Sequence, residues 1–303
     1  MPSAGNITNF IRVLSNLNND CTLCPISCKI DRTVKFGACG AGDKIKIAKY
    51  YLHQFEEPCI SGERGSGTVF FCGCSLKCRF CQNFELSRNL RGKEISVYEL
   101  ADIFRELENM GAENINLVTP TQFSDKIIRA LEIYKPKIPV VYNTHGYEKS
   151  DVLQEIDKYI DVYIPDLKFF SSVISKRYTG KENYFEYASK AVLFMARKPL
   201  VFGEKGIMKS GTIVRHLVLP TCTQDSKRII DFFADNIKDN AYLNLMSQYT
   251  PMGDTKGLPE LSRKITKREY DSVIDYAISR GIEKMFYQKR ISASEEYVPK
   301  WDY

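Results

Sequence analysis

Nowhere does the 303-residue sequence run apolar for the ~18 residues that a bilayer-spanning helix needs, which excludes a helical integral membrane protein. The first twenty residues, MPSAGNITNFIRVLSNLNND, lack the apolar core of a secretory leader, so the chain is expected in the cytoplasm. Histidine is scarce: His53, His145 and His216 are the only three, and none forms a paired metal motif. Any metal is therefore expected on sulfur. Charge of neither sign is gathered into a block. Forty-three basic against 37 acidic residues leaves +6 scattered along the chain, which reads as a solvated surface and does not indicate nucleic-acid binding. Internal repeats and low-complexity tracts are absent as well.

Cysteine is what the sequence has in quantity. There are ten, in a chain whose 44% hydrophobic and 26% charged residues suffice for an ordinary globular core. In a cytoplasmic chain thiols stay reduced, so closely spaced cysteines read as metal ligands before disulfides. Cys21, Cys24, Cys28 and Cys39 lie early, Cys59 stands alone, Cys72, Cys74, Cys78 and Cys81 crowd together, and only Cys222 lies further on. Three regions are expected: a cysteine-bearing extension over 1–62, a main domain over 63–290 and a tail over 291–303.

From Gly67 the pattern alternates. GTVFF (Gly67–Phe71) reads as a strand, and Ser96–Met110 as a helix opened by Ser96 with Glu99 three residues later. INLV, PVVYN, DVYIPDL, TIVRHLVL, AYLNLM and KMFYQ follow as strands. Helical stretches near Ser124–Tyr134, Ser150–Lys158, Tyr184–Ala196, Asp225–Asn236 and Lys267–Arg280 separate them. This order implies right-handed βαβ units around a parallel sheet, hence an α/β fold of the partial (β/α)6 TIM-barrel type with chemistry at the C-terminal ends of the strands.

The first strand runs into FCGCSLKCRFCQN, where Cys74, Cys78 and Cys81 have the spacing C-x3-C-x2-C. Three thiolates on one tight loop can hold three irons of a [4Fe–4S] cluster, leaving the fourth iron for a non-protein ligand. Cys72 falls on the face of Cys74 if the strand continues, and so is expected to pack beside the cluster without binding iron. Cys59 and Cys222 are read as non-ligands. Four thiolates at Cys21-x2-Cys24-x3-Cys28-x10-Cys39 are enough for a structural zinc site or a second cluster, with Gly37 and Gly40 allowing tight turns.

The cysteine loop resembles that of radical S-adenosylmethionine (SAM) enzymes, C-x3-C-x-aromatic-C, with Phe80 as the aromatic. The segments EEPCISGERGSGTVFFCGC, CRFCQN, NLVTPTQF, YNTHGY, DLKFF and SQYTPMG are similar to those of the activating enzymes of glycyl radical proteins, such as pyruvate formate-lyase activase. More narrowly, they resemble an activase-like branch with an N-terminal cysteine motif. The resemblance implies that S-adenosylmethionine binds the open iron and is cleaved reductively to a 5′-deoxyadenosyl radical for hydrogen abstraction. It implies that Phe80 packs near the adenine with Asn83 alongside, and that Thr119 and Thr121 stand where relatives contact the methionine amino group. Asn143 and Thr144 take the place of ribose-binding residues. Asp166 and Lys168 close the next strand, with Lys168 facing the cofactor carboxylate, and Arg215 and Gln248 lie near the adenosine. Because Asn143 is not acidic, the monovalent-cation site of the activases is weakened here. His145 reads as a surface residue. The partners implied are a glycyl radical protein and a flavodoxin- or ferredoxin-type electron donor. A radical enzyme acting on a small molecule or peptide is the alternative, and a non-catalytic iron–sulfur or zinc protein is a third reading.

Overall fold

The computed structural model describes residues 20–287, so the expected tail over 291–303 lies outside the described residues. Among the described residues ten strands form one sheet: β1 (Ile45–His53), β2 (Ser66–Phe71), β3 (Lys93–Ile95), β4 (Ile115–Val118), β5 (Val140–Thr144), β6 (Val162–Pro165), β7 (Val201–Phe202), β8 (Met208–Leu217), β9 (Tyr242–Met246) and β10 (Met285–Tyr287). Their order is β10-β9-β8-β6-β5-β4-β2-β1-β3, with β7 paired to β8 off this path. From β2 to β10 the path is parallel throughout. β1 is antiparallel to both β2 and β3, and so carries part of the N-terminal region into the same sheet. Phe70 of β2 and Phe286 of β10 line one cavity, so the sheet curls. The architecture is the partial barrel that the alternation implied.

Helices cover the outer face. The longer ones are α1 (Val97–Asn109), α2 (Ser124–Ile133), α3 (Ser150–Ile156), α4 (Ser172–Thr179), α5 (Tyr184–Met195), α6 (Thr223–Asn236) and α7 (Lys267–Ser279). α1 begins where its capping box dictates: Ser96 Oγ accepts the Glu99 N–H, and the Glu99 side chain accepts the Ser96 N–H. Its Leu100, Phe104 and Leu107, one face at helical spacing, pack with Phe71, Ile115 and Leu117 of the sheet. Ile229, Ile230 and Phe233 of α6 do the same beside Val214 and Leu243. Among the described residues no helix is long and apolar enough to cross a membrane.

Candidate active site

β2 ends at Phe71, and the chain turns at Gly73 with φ +85°, where a Cβ would lie 2.8 Å from the Cys39 carbonyl oxygen. Only glycine turns the chain this tightly against another backbone. The turn breaks the strand alternation, so Cys72 does not share the face of Cys74. Its thiol instead donates to the Arg91 carbonyl at 3.1 Å, away from the main cavity. The loop beyond carries Cys74 and Cys78, both buried, and Cys81, half-buried. All three line a cavity of about 490 Å³. Cys59, Cys72 and Cys222 do not line it.

The loop is held from several sides. The Cys74 N–H donates to the Cys39 carbonyl at 3.0 Å and the Arg79 N–H to that of Tyr178 at 2.9 Å. Gln122 Nε2 donates to the carbonyls of Cys72 and Gly73. Burial pushes the Cys74 thiol up to about 11 and the Cys78 thiol higher still, so as thiols both keep their protons until a cation displaces them.

His145 does not lie on the surface. It is 6% exposed and lines the cavity beside the cysteine loop. Gly146, at φ +77°, explains the burial: a Cβ there would stand 2.2 Å from the Asp166 carbonyl oxygen, so the β5 exit is pressed onto the β6 exit. The Tyr147 N–H donates to His145 Nδ1 at 3.1 Å, which leaves the proton on Nε2 to donate to Ser75 Oγ at 3.2 Å. Burial, with the Lys168 charge adding to it, lowers the imidazole to about 3, so the ring is neutral. Both its nitrogens are engaged. The cavity wall beside the loop thus offers the sulfurs of Cys74, Cys78 and Cys81, and no fourth cysteine among the described residues lines it. Nor does any group of three His, Cys, Asp or Glu among them suit a single metal ion. Three sulfurs without a fourth suit a cluster with one open iron.

The strand ends supply the remaining wall. Phe80, Asn83, Thr119, Asn143, Thr144, Asp166, Lys168, Arg215 and Gln248 all line the cavity. Phe80 is fixed edge-on to Phe169, Tyr178 and Tyr249 at centroid distances of 6.0, 6.0 and 6.2 Å. Lys168 Nζ pairs with Asp166 Oδ2 at 2.5 Å. Burial works against the ammonium, but the Asp166 carboxylate outweighs it and holds the lysine above its usual range. Thr121 is turned away from the cavity: its hydroxyl donates to Glu148 Oε1 at 2.5 Å, and the Thr144 hydroxyl donates to the same oxygen. Tyr184 Oη shares its one proton between the carbonyls of His145 and Asp166, at 3.0 and 2.9 Å, and accepts the Lys168 N–H, joining two of these strand exits.

Deeper in the barrel lies a charged layer. Arg215 points inward, donating through Nε to Glu57 Oε1 at 2.7 Å and pairing with Glu56 as well. Asn244 Nδ2 donates to Glu57 Oε1 at 2.7 Å, and Asn116 Nδ2 to Glu56 Oε1 at 2.9 Å. Burial alone would raise the Glu57 carboxyl, but Arg215 overcomes this and lowers it. Asn244, which lines the cavity, and Asn116 each have an amide oxygen without a hydrogen-bond partner. Glu56, Glu57, Asn116, Asn244, Glu148 and Tyr184 received no role from the sequence. The buried EE pair in EEPCISGERGSG was the available signal.

Comparison with known proteins agrees with this geometry. A profile of the radical SAM superfamily matches residues 68–233. An uncharacterised protein of Methanocaldococcus jannaschii is 29% identical over 91% of this chain and 79% of its own length. The pyruvate formate-lyase-activating enzyme of Clostridium pasteurianum is 28% identical over 79% of this chain and 93% of its own. Among solved structures, Streptococcus suis SuiB bound to S-adenosylmethionine superposes with a TM-score of 0.51 over 71% of this chain at 16% identity, a likeness of fold. This chain spans about half of SuiB, 48% of its length.

Proposed function

The chain belongs to the radical SAM superfamily, and we propose that it cleaves S-adenosylmethionine at a [4Fe–4S] cluster held by Cys74, Cys78 and Cys81 to abstract hydrogen from a glycine of a partner protein. The observation that carries this reading is the placing of the three thiols together on the wall of one cavity at the exits of the parallel strands. When bound, the cluster supplies one electron, received from a flavodoxin- or ferredoxin-type donor, that splits the sulfonium C–S bond into methionine and a 5′-deoxyadenosyl radical, which takes a hydrogen atom from the substrate.

The chain's own residues bind and orient. Lys168 spends one ammonium proton on Asp166 and keeps two for the carboxylate of the bound nucleotide. Phe80, immobilised by three aromatic neighbours, supplies an apolar face for the adenine. The Asn143 amide both donates and accepts, as ribose hydroxyls require. Neutral His145 steadies the cysteine loop through Ser75 without adding charge beside the thiolates.

Likeness to an activating enzyme over nearly its whole length supports a protein-borne glycine as the target. A small polar molecule or peptide is the second reading, favoured by the polar Asn143, Asn244 and Gln248 among the residues that line the cavity. Anaerobically reconstituted, reduced protein should convert S-adenosylmethionine to 5′-deoxyadenosine, and Cys78→Ala should not. Equal turnover by both would refute the assignment. A glycine-centred radical detected by electron paramagnetic resonance on a candidate partner separates the two substrates.

A further inference from the structure

We infer that Cys21, Cys24, Cys28 and Cys39 hold a second [4Fe–4S] cluster, ligated at all four irons by protein, behind the loop that carries the first three cysteines. Backbone bonds gather the set: the Cys21 N–H donates to the Ile30 carbonyl at 3.1 Å and the Lys29 N–H to the Cys21 carbonyl at 3.0 Å, closing a hairpin that brings Cys28 back beside Cys21. Ser27 and Lys29, flanking Cys28, sit at φ +43° and +52°, a left-handed conformation that costs non-glycine residues energy and persists where the surroundings demand it. Gly37 keeps the space between two sulfurs clear, since a Cβ there would lie 3.2 Å from Cys39 Sγ and 3.8 Å from Cys28 Sγ.

Backbone N–H groups are also turned toward the sulfurs. In each of three cases the N–H two residues on points at sulfur: Leu23 to Cys21, Ile26 to Cys24 and Ala41 to Cys39, the last at 3.5 Å. An amide N–H aimed at sulfur is the contact that a cluster-bound cysteine accepts. The sulfurs also lie within one another's electrostatic reach, with Arg32 as the neighbouring cation. Arg32 is spent on the carbonyls of Gly42 and Gln122. None of the four is in a disulfide, so all four sulfurs are available as ligands. Because no three of the described His, Cys, Asp or Glu side chains suit a single ion, the wider iron–sulfur body fits the set better than zinc.

Existence of this site does not depend on the proposed reaction. The test uses Cys74→Ala/Cys78→Ala/Cys81→Ala, reconstituted anaerobically with iron and sulfide, its fold checked by circular dichroism. About four irons per chain should remain, with a Mössbauer spectrum that S-adenosylmethionine leaves unchanged, because no iron is open. In the otherwise native chain, Cys24→Ser/Cys28→Ser should lose about four of about eight irons and keep a spectrum that responds to S-adenosylmethionine. Zinc in place of iron, a folded triple variant without metal, or an undiminished iron count in the double variant would each overturn the inference. Loss of 5′-deoxyadenosine formation by the native chain would instead strike the proposed reaction alone.

Discussion

The Cys39 carbonyl accepts the Cys74 N–H at 3.0 Å, so the two cysteine groups share a backbone hydrogen bond across the Gly73 turn. The N-terminal element therefore braces the loop it precedes. Gly73→Ala tests this brace. A methyl at φ +85°, 2.8 Å from the Cys39 oxygen, has to push the two backbones apart. A loss of about 1–3 kcal/mol in denaturation and a lower iron content after reconstitution are expected. Native-like stability and iron would show that the bond is incidental.

Arg215 stands against two carboxylates in the barrel interior, and Glu57 is 5% exposed. Arg215→Met leaves that carboxylate without its cation and should cost about 3–5 kcal/mol. Adding Glu57→Gln should restore part of the loss, which urea denaturation of the pair would measure. Absence of any recovery would mean that the arginine acts by packing alone.

Burial raises the Glu148 carboxyl to about 7, although the Thr121 and Thr144 hydroxyls pull it down. A folded value above the unfolded one means stability that is full below about pH 4.5 and lost as pH rises through 7. Glu148→Gln keeps an acceptor for both hydroxyls and carries no charge. It should exceed the native chain in stability by up to about 3 kcal/mol at pH 8 and by little at pH 5. A native chain more stable than the variant at pH 8 would contradict the burial argument.

His145 should remain neutral with its proton on Nε2 across pH 5–8, as nitrogen-15 NMR of the labelled ring would show. His145→Ala should leave Ser75 untethered and lower 5′-deoxyadenosine yield per iron while the cluster still assembles. A ring that titrates near its ordinary value would mean that the Ser75 contact is not maintained in solution.

Helix α1, strand β4 and helix α2 were legible to within a residue or two, because an apolar stripe and a capping box are local signals. β1 was not: its register shifts between Ile47 and Lys49, which breaks the two-residue alternation that marks a strand. α4 escaped as well, since it buries only Ser175, Tyr178 and Thr179 and so has little apolar stripe to show. In the candidate site the same divide holds. The cysteine loop and the strand-end residues are visible as short motifs after strands. Glu57 and Arg215 are 158 positions apart, and only the curled sheet makes them partners. Thr121 follows strand β4, but the buried Glu148 that claims its hydroxyl could not be inferred from the motif.

The central claim is that one iron of the cluster on Cys74, Cys78 and Cys81 lacks a protein ligand and accepts S-adenosylmethionine. Electron–nuclear double resonance of the reduced Cys24→Ser/Cys28→Ser protein, with nucleotide labelled by nitrogen-15 in the amino group and carbon-13 in the carboxyl group, measures this directly. Hyperfine coupling to both labels is the expected result. A cluster signal with no coupling to either label, under conditions where the nucleotide is bound, would contradict the account.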